Sequence, residues 1–167
     1  DVAYQGFAHD IDDDAWVVRE LASTSLTTFV AQSFSKNFSL YNRRLGALHV
    51  ICPDSDVATR VTSQLKAEIR LIHSTCPRDG ADIVARIVGD PSLRAQWESE
   101  VNGMRQRIQA MRDGLLAALH VESPALRERF EFLRSQKGMF SYTGLTKDHA
   151  LALRKEYGIY ILESGRM

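Results

Sequence analysis

An excess of charge of either sign is missing from this chain: Lys plus Arg number 21 and Asp plus Glu number 21, a formal net charge of +0. No global field draws it to phosphate backbones or anionic membranes, so nucleic acid and membrane surfaces are set aside as partners. Cysteine is nearly missing as well. Cys52 and Cys76 form no CxxC pair, and His9, His49, His73, His120 and His149 lie far apart, so no zinc framework is legible and no metal is expected. Apolar runs are short: none approaches the ~20 residues of a membrane helix. The chain has no internal repeat and no low-complexity tract. It opens at Asp1 without Met or an apolar leader and stops at Met167 after the apolar run 159–162, which reads as a piece of a longer protein. What is present is ordinary. Hydrophobic residues at 44%, charged at 25% and aromatic at 8% over 167 residues exclude a disordered chain and a disulfide-built miniprotein, and leave a globular chain with a core.

The pattern of the elements predicts an α/β fold. Asp12, Asp13 and Asp14 precede Ala15, Trp16, Val17, Val18 and Leu21, the look of a helix start, with the acids read as caps. Residues 27–33 and 47–52 are β-branched and apolar and predict two strands, with Lys36 between them. Val57, Val61, Leu65, Ile69 and Ile72 form the stripe of an amphipathic helix. A short helix over 83–88 ends at Gly89, and Pro91 opens a long one. The core positions of that long helix are Leu93, Trp97, Val101, Met104, Ile108, Met111, Leu115 and Leu119. Gly103, in its middle, marks the candidate domain boundary: residues 1–103 against 104–167. Residues 138–142 predict a strand, Thr146 a helix cap, Gly158 its stop, and 159–162 a final strand.

Chemistry points first to Lys36, which follows the first strand in the polar run Ser33-Phe34-Ser35-Lys36-Asn37 and could face a crevice. Such a lysine is either a solvated surface charge or, if partly desolvated or near another cation, a nucleophile toward carbonyls. Arg43 and Arg44 are the neighbouring cations, either an exposed basic pair or an anion clamp.

The run SFSKNFSLYNRRLG, residues 33–46, resembles the lysine motif of the class I aminotransferases in their aspartate and aromatic aminotransferase branch. Residues 1–7 (DVAYQGF), 138–145 (GMFSYTGL) and 164–166 (SGR) resemble the same branch in the same order. The resemblance implies the fold type I architecture of pyridoxal-phosphate enzymes, with 1–103 as the C-terminal part of the large cofactor domain and 104–167 as an incomplete small domain. It implies pyridoxal 5′-phosphate as cofactor, amino acids and 2-oxo acids as substrates, a ping-pong transfer and a homodimer. Lys36 matches the lysine that bonds covalently to the cofactor and then shuttles the Cα proton. Asp1 matches the partner of the pyridine nitrogen, Tyr4 that of the ring's phenolate oxygen, and Ser33, Ser35 and Arg44 the phosphate ligands. Arg166 matches the α-carboxylate arginine, Phe140 a cavity wall, and Arg70 the arginine that reaches the neighbouring subunit's site for a distal carboxylate. Taken alone, Asp1 is a terminal acid, Tyr4 and Phe140 core aromatics, and Arg70 a solvated helix residue.

Departures from the family pattern are Arg43, His73 and the sequence Ser74-Thr75-Cys76-Pro77 after Arg70. The family's remaining phosphate donors, its stacking aromatic and an asparagine near the phenolate oxygen belong to its N-terminal portion, so the 167 residues alone are expected to be inactive. The competing readings are a lyase or decarboxylase of the same cofactor fold and a non-catalytic remnant serving as an interaction module. The compartment is left open, with the cytoplasm placed ahead of the mitochondrion.

Overall fold

A computed structural model describes residues 1–167, in which six α-helices and one two-stranded sheet fall into two compact units. The first holds residues 1–6 and 10–101, the second residues 7–9 and 102–167.

In the first unit a 3-10 turn, Asp13–Ala15, runs into helix α1 (Trp16–Ala22). The acids at 12–14 do not cap it as the sequence predicts. Asp10 does this instead, its Oδ1 accepting from the backbone N–H groups of Asp12 (2.9 Å) and Asp13, while Asp14 accepts from Gly6 N–H at 2.8 Å. Strand β1 (Thr28–Ser33) pairs antiparallel with β2 (Gly46–Ile51), from Thr28 opposite Ile51 to Ser33 opposite Gly46. Both lie within a residue or so of the predicted strands. Helix α2 (Ser55–His73) starts where Asp54 accepts from Val57 N–H at 2.7 Å. Its apolar stripe is half-buried at Val57, Val61 and Leu65 but uncovered toward its end, where Ile69 is 46% and Ile72 69% exposed. Helix α3 (Asp79–Gly89) follows, longer than predicted because Asp79 and Asp82 suit its first turn.

Helix α4 (Pro91–Glu122) passes from the first unit into the second without a break at Gly103. Its predicted stripe holds up to Val101, which is 1% exposed, and then rotates. Met104 and Met111 are exposed, while Arg112 and Leu116 are buried. Arg112, about three turns on from Val101, joins the inward face, because a guanidinium that finds enough acceptors can be buried where a thioether is left out.

In the second unit α5 (Pro124–Phe130) and a 3-10 turn (Glu131–Ser135) occupy a stretch with no predicted element, although Ser123 followed by Pro124 is a helix-start signature. Helix α6 (Lys147–Tyr157) is capped by Thr146, which forms a reciprocal box with His149, and ends at Gly158 in the left-handed conformation, both as predicted. The two strands predicted at 138–142 and 159–162 are absent. Residues 141–143 pair with 165–167 through a single bridge, Tyr142 to Arg166. Residues 159–162 are largely exposed and lead into a tight turn, with Leu162 N–H bonded to Arg166 O and Gly165 N–H to Leu162 O. Apolar character alone makes no strand where no neighbour offers a ladder.

Candidate active site

The connection between β1 and β2, residues 34–45, carries Lys36 and is fixed by its own backbone. Phe34 N–H bonds Leu45 O (3.1 Å), Leu40 N–H bonds Phe34 O (3.3 Å), and Ser39 N–H bonds Lys36 O (3.1 Å). Two of its residues, Ser39 (φ 55) and Arg44 (φ 49), are left-handed although neither is glycine. Each costs of order 1–3 kcal/mol, so the surrounding bonds over-determine the loop. Packing adds to this. Phe38 stacks on Trp97 of α4 (centroids 4.3 Å) and meets Phe34 edge-on (5.5 Å), while Trp97 Nε1 donates to the Asn37 carbonyl at 2.7 Å.

The Lys36 ammonium is half-buried and lies 4.7 Å from the centroid of the Tyr41 ring and 5.3 Å from that of Tyr4. Tyr4 is held there by the segment around it. Val2 N–H bonds Ala31 O of β1 (2.9 Å), Gln32 Nε2 donates to Gln5 Oε1 (3.0 Å), and Asn37 Nδ2 donates to Gln5 O (3.3 Å). Asn37 is 3% exposed and its Oδ1 accepts no bond. Asp1 begins this segment, with Oδ1 turned back to Ala3 N–H at 2.9 Å. Ser33 Oγ accepts from Ser35 N–H at 3.2 Å, and Ser35 is buried. Arg43 is taken by the Asp79 carboxylate at the head of α3 and is therefore no anion clamp. Arg44 spends one Nη1 donor on Tyr41 O (3.1 Å), which leaves the rest of its fork open. The structure thus gathers Asp1, Tyr4, Ser33, Ser35, Lys36 and Arg44 around one hairpin. Arg70 is apart, exposed on the last turn of α2, with no ion pair or ring contact to this loop.

The second unit holds Phe140 and Arg166. The Arg166 guanidinium lies 4.5 Å from the Phe140 ring centroid, beside a shallow pocket of about 340 Å³ that they line with Arg154, Tyr160, Leu162 and Met167. Behind Phe140 is a residue that sequence reasoning misses, Arg112. It is 4% exposed, and burial pulls its guanidinium below the ordinary arginine range, offset in part by Asp113. A helical arginine reads as surface. The one signal that could have exposed it is the inward stripe at 101, 105, 108, 112 and 116. Asn37, Gln5 and the hydrogen-bonding role of Trp97 carried no sequence signal of their own.

Comparison with known proteins places these residues in a context. The profile of the family described as aminotransferase class I and II matches residues 1–167. The aromatic-amino-acid aminotransferase of Escherichia coli strain K12 is 47% identical over 167 residues, which are 100% of this chain and 42% of that protein. The aspartate aminotransferase of the same organism gives the same identity and the same coverage. In structure, the aromatic-amino-acid aminotransferase from Burkholderia pseudomallei, covalently bound to pyridoxal phosphate, superimposes with a TM-score of 0.91 at 48% identity, over 99% of this chain and 41% of that one. The chain therefore spans about two fifths of the length of the relatives it matches.

Proposed function

The chain belongs to the class I and II aminotransferase family, and from that premise we propose that it is the C-terminal part of a pyridoxal-phosphate-dependent subunit. That subunit moves an amino group between an aspartate-, glutamate- or aromatic-type amino acid and a 2-oxo acid. The fold is the α/β fold type I of its structural relatives. We assign residues 1–103 to the end of the large cofactor domain and 104–167 to most of the small one.

The observation that carries the reading is the Lys36 amine, set over two tyrosine rings on a loop whose strain is fixed by bonds from β1, β2 and Trp97. The donor set fits the cofactor. It offers an amine for an aldehyde carbon, hydroxyls at Ser33 and Ser35 and the open fork of Arg44 for a phosphate, a carboxylate at Asp1 for a protonated ring nitrogen, and a phenol at Tyr4 for the ring oxygen. Pyridoxal phosphate, when bound, supplies the carbonyl carbon that takes the substrate amine and the ring that accepts the electron pair left at Cα.

The protein's part is to bind, orient and move one proton. Lys36 Nζ would anchor the cofactor covalently and, as the free amine, would carry the proton from substrate Cα to the cofactor carbon that bore the carbonyl. Arg166 grips the α-carboxylate with two parallel N–H donors and Phe140 walls the cavity. Arg70 serves the distal carboxylate of an acidic substrate in the neighbouring subunit of a homodimer.

Borohydride reduction of the full-length holoenzyme should fix label on Lys36, and Lys36→Ala should abolish transamination because anchor and base are lost together. Label on another lysine, or undiminished turnover in Lys36→Ala, overturns the reading.

A further inference from the structure

We propose that Arg112 is a positioning residue for carboxylate recognition: it holds the loop 136–141 from behind, and that loop in turn sets Phe140 and Arg166. The inference rests on the reading of Arg166 as the α-carboxylate arginine.

A guanidinium has five N–H donors, and at Arg112 all five are used. Nε donates to Ser141 Oγ (2.7 Å). Nη1 donates to Gln136 O (3.1 Å) and to Gln109 Oε1 (3.3 Å). Nη2 donates to Phe140 O (3.0 Å) and, at short range, to Gly138 O. Four of the five acceptors belong to residues 136–141, and three are backbone carbonyls at alternate positions. The guanidinium therefore fixes the course of the chain rather than the rotamer of one side chain. No carboxylate is hydrogen-bonded to it: carbonyl and hydroxyl dipoles take all its donors, and the Asp113 charge offsets only part of its burial. A buried charge of this kind is costly and is tolerated only where its bonds are complete.

The loop passes this order on. Ser141 exchanges both backbone bonds with Met167, N–H to O at 2.8 Å and O to N–H at 2.9 Å, and Thr143 N–H bonds Gly165 O at 2.9 Å. Arg166 sits between those two anchored residues, bridged to Tyr142, with its guanidinium over the Phe140 ring. Arg112 thus reaches Arg166 by two routes, through Ser141 to Met167 and through the Phe140 carbonyl to the ring under the guanidinium.

Carboxylate binding is present in ground and transition states alike, so a displaced Arg166 should raise KM and spare kcat. A loss of fold alone does the reverse, lowering the active fraction and hence apparent kcat at constant KM. In the full-length holoenzyme Arg112→Lys keeps the charge but cannot span five acceptors. KM for aspartate and for phenylalanine should each rise about tenfold, as expected when one or two bonds to a charged group are lost, with kcat within about twofold. The Kd of 3-phenylpropionate, a carboxylate with no amino group to transfer, should rise by the same factor in calorimetry. Ser141→Ala, which removes one acceptor and leaves the charge buried, should shift both in the same direction by about threefold and decides the matter if Arg112→Lys does not fold. Unchanged KM and Kd in the folded variant overturn the proposal. Arg166→Ala separates the two failures. If it leaves the 3-phenylpropionate Kd unchanged, the carboxylate reading itself falls. If it weakens binding while Arg112→Lys and Ser141→Ala do not, only the positioning role falls.

Discussion

Arg70 and Arg166 divide the work of a dicarboxylate in the proposed reading, and their substitution should separate cleanly. Truncating a guanidinium that pairs with a desolvated carboxylate costs about 2 to 5 kcal/mol, roughly 30- to several-thousand-fold in kcat/KM. For Arg70→Ala in the full-length enzyme, aspartate and glutamate should fall by that factor, while phenylalanine, with no distal charge, should change far less. Mixing Arg70→Ala with Lys36→Ala subunits should restore dicarboxylate turnover in the heterodimer, since one site then carries both lesions and the other none. Equal losses for aspartate and phenylalanine, or no recovery in confirmed heterodimers, would leave Arg70 as a solvated helix residue, which is how the isolated chain displays it. At this scale the sequence is informative where a residue's chemistry is unusual for its place. A lysine in a polar run after a strand invites attention. A guanidinium every few residues along a helix does not, so Arg112 is invisible until its acceptors are seen. The left-handed turns at Ser39 and Arg44 are equally silent, because no glycine advertises them.

Elements with local signals are legible at nearly full precision: Thr146 as a cap, Gly158 as a stop, the β1–β2 pair as β-branched runs. Those that depend on partners are not. The segment 159–162 reads as strand by composition yet has no ladder, and the α4 stripe turns after Val101 because Arg112 finds acceptors in a loop some thirty residues on. Two glycines probe these elements in opposite ways. A Cβ at Gly103 meets nothing within 4 Å, so Gly103→Ala should stabilise α4 by up to about 1 kcal/mol and raise the thermal midpoint of the full-length enzyme. At Gly165 the backbone is left-handed (φ 80) and a Cβ would stand 2.5 Å from Leu145 O. Gly165→Ala should therefore cost well beyond the roughly 1 kcal/mol of left-handed backbone alone, and weaken carboxylate binding at the adjacent Arg166. Differential scanning calorimetry of both variants checks the pair; a fall in midpoint for Gly103→Ala would show that the glycine is needed there.

For the molecule as a whole, the 167 residues carry Lys36 and the arginines proposed to bind carboxylates, but not the donors that the family resemblance assigns to its N-terminal portion. Purified alone with added pyridoxal phosphate, they should show no amino-group transfer to 2-oxoglutarate. Measurable turnover would mean that the residues described here suffice. Exposed apolar side chains point the same way, with Leu71 80% and Ile72 69% accessible on α2, and a cleft of about 470 Å³ lined by Phe34, Phe38, Val84, Val88 and Trp97 open beside the lysine loop. The change of unit at Val101 to Asn102 falls inside a continuous run of helical hydrogen bonds rather than in a loop. Proteases nick, and chains tolerate new termini or inserted domains, at exposed loop tips. The helical crossing at 101–102 offers none, so anyone seeking to graft a reporter, split the polypeptide for reassembly or circularly permute it must look elsewhere than at that crossing.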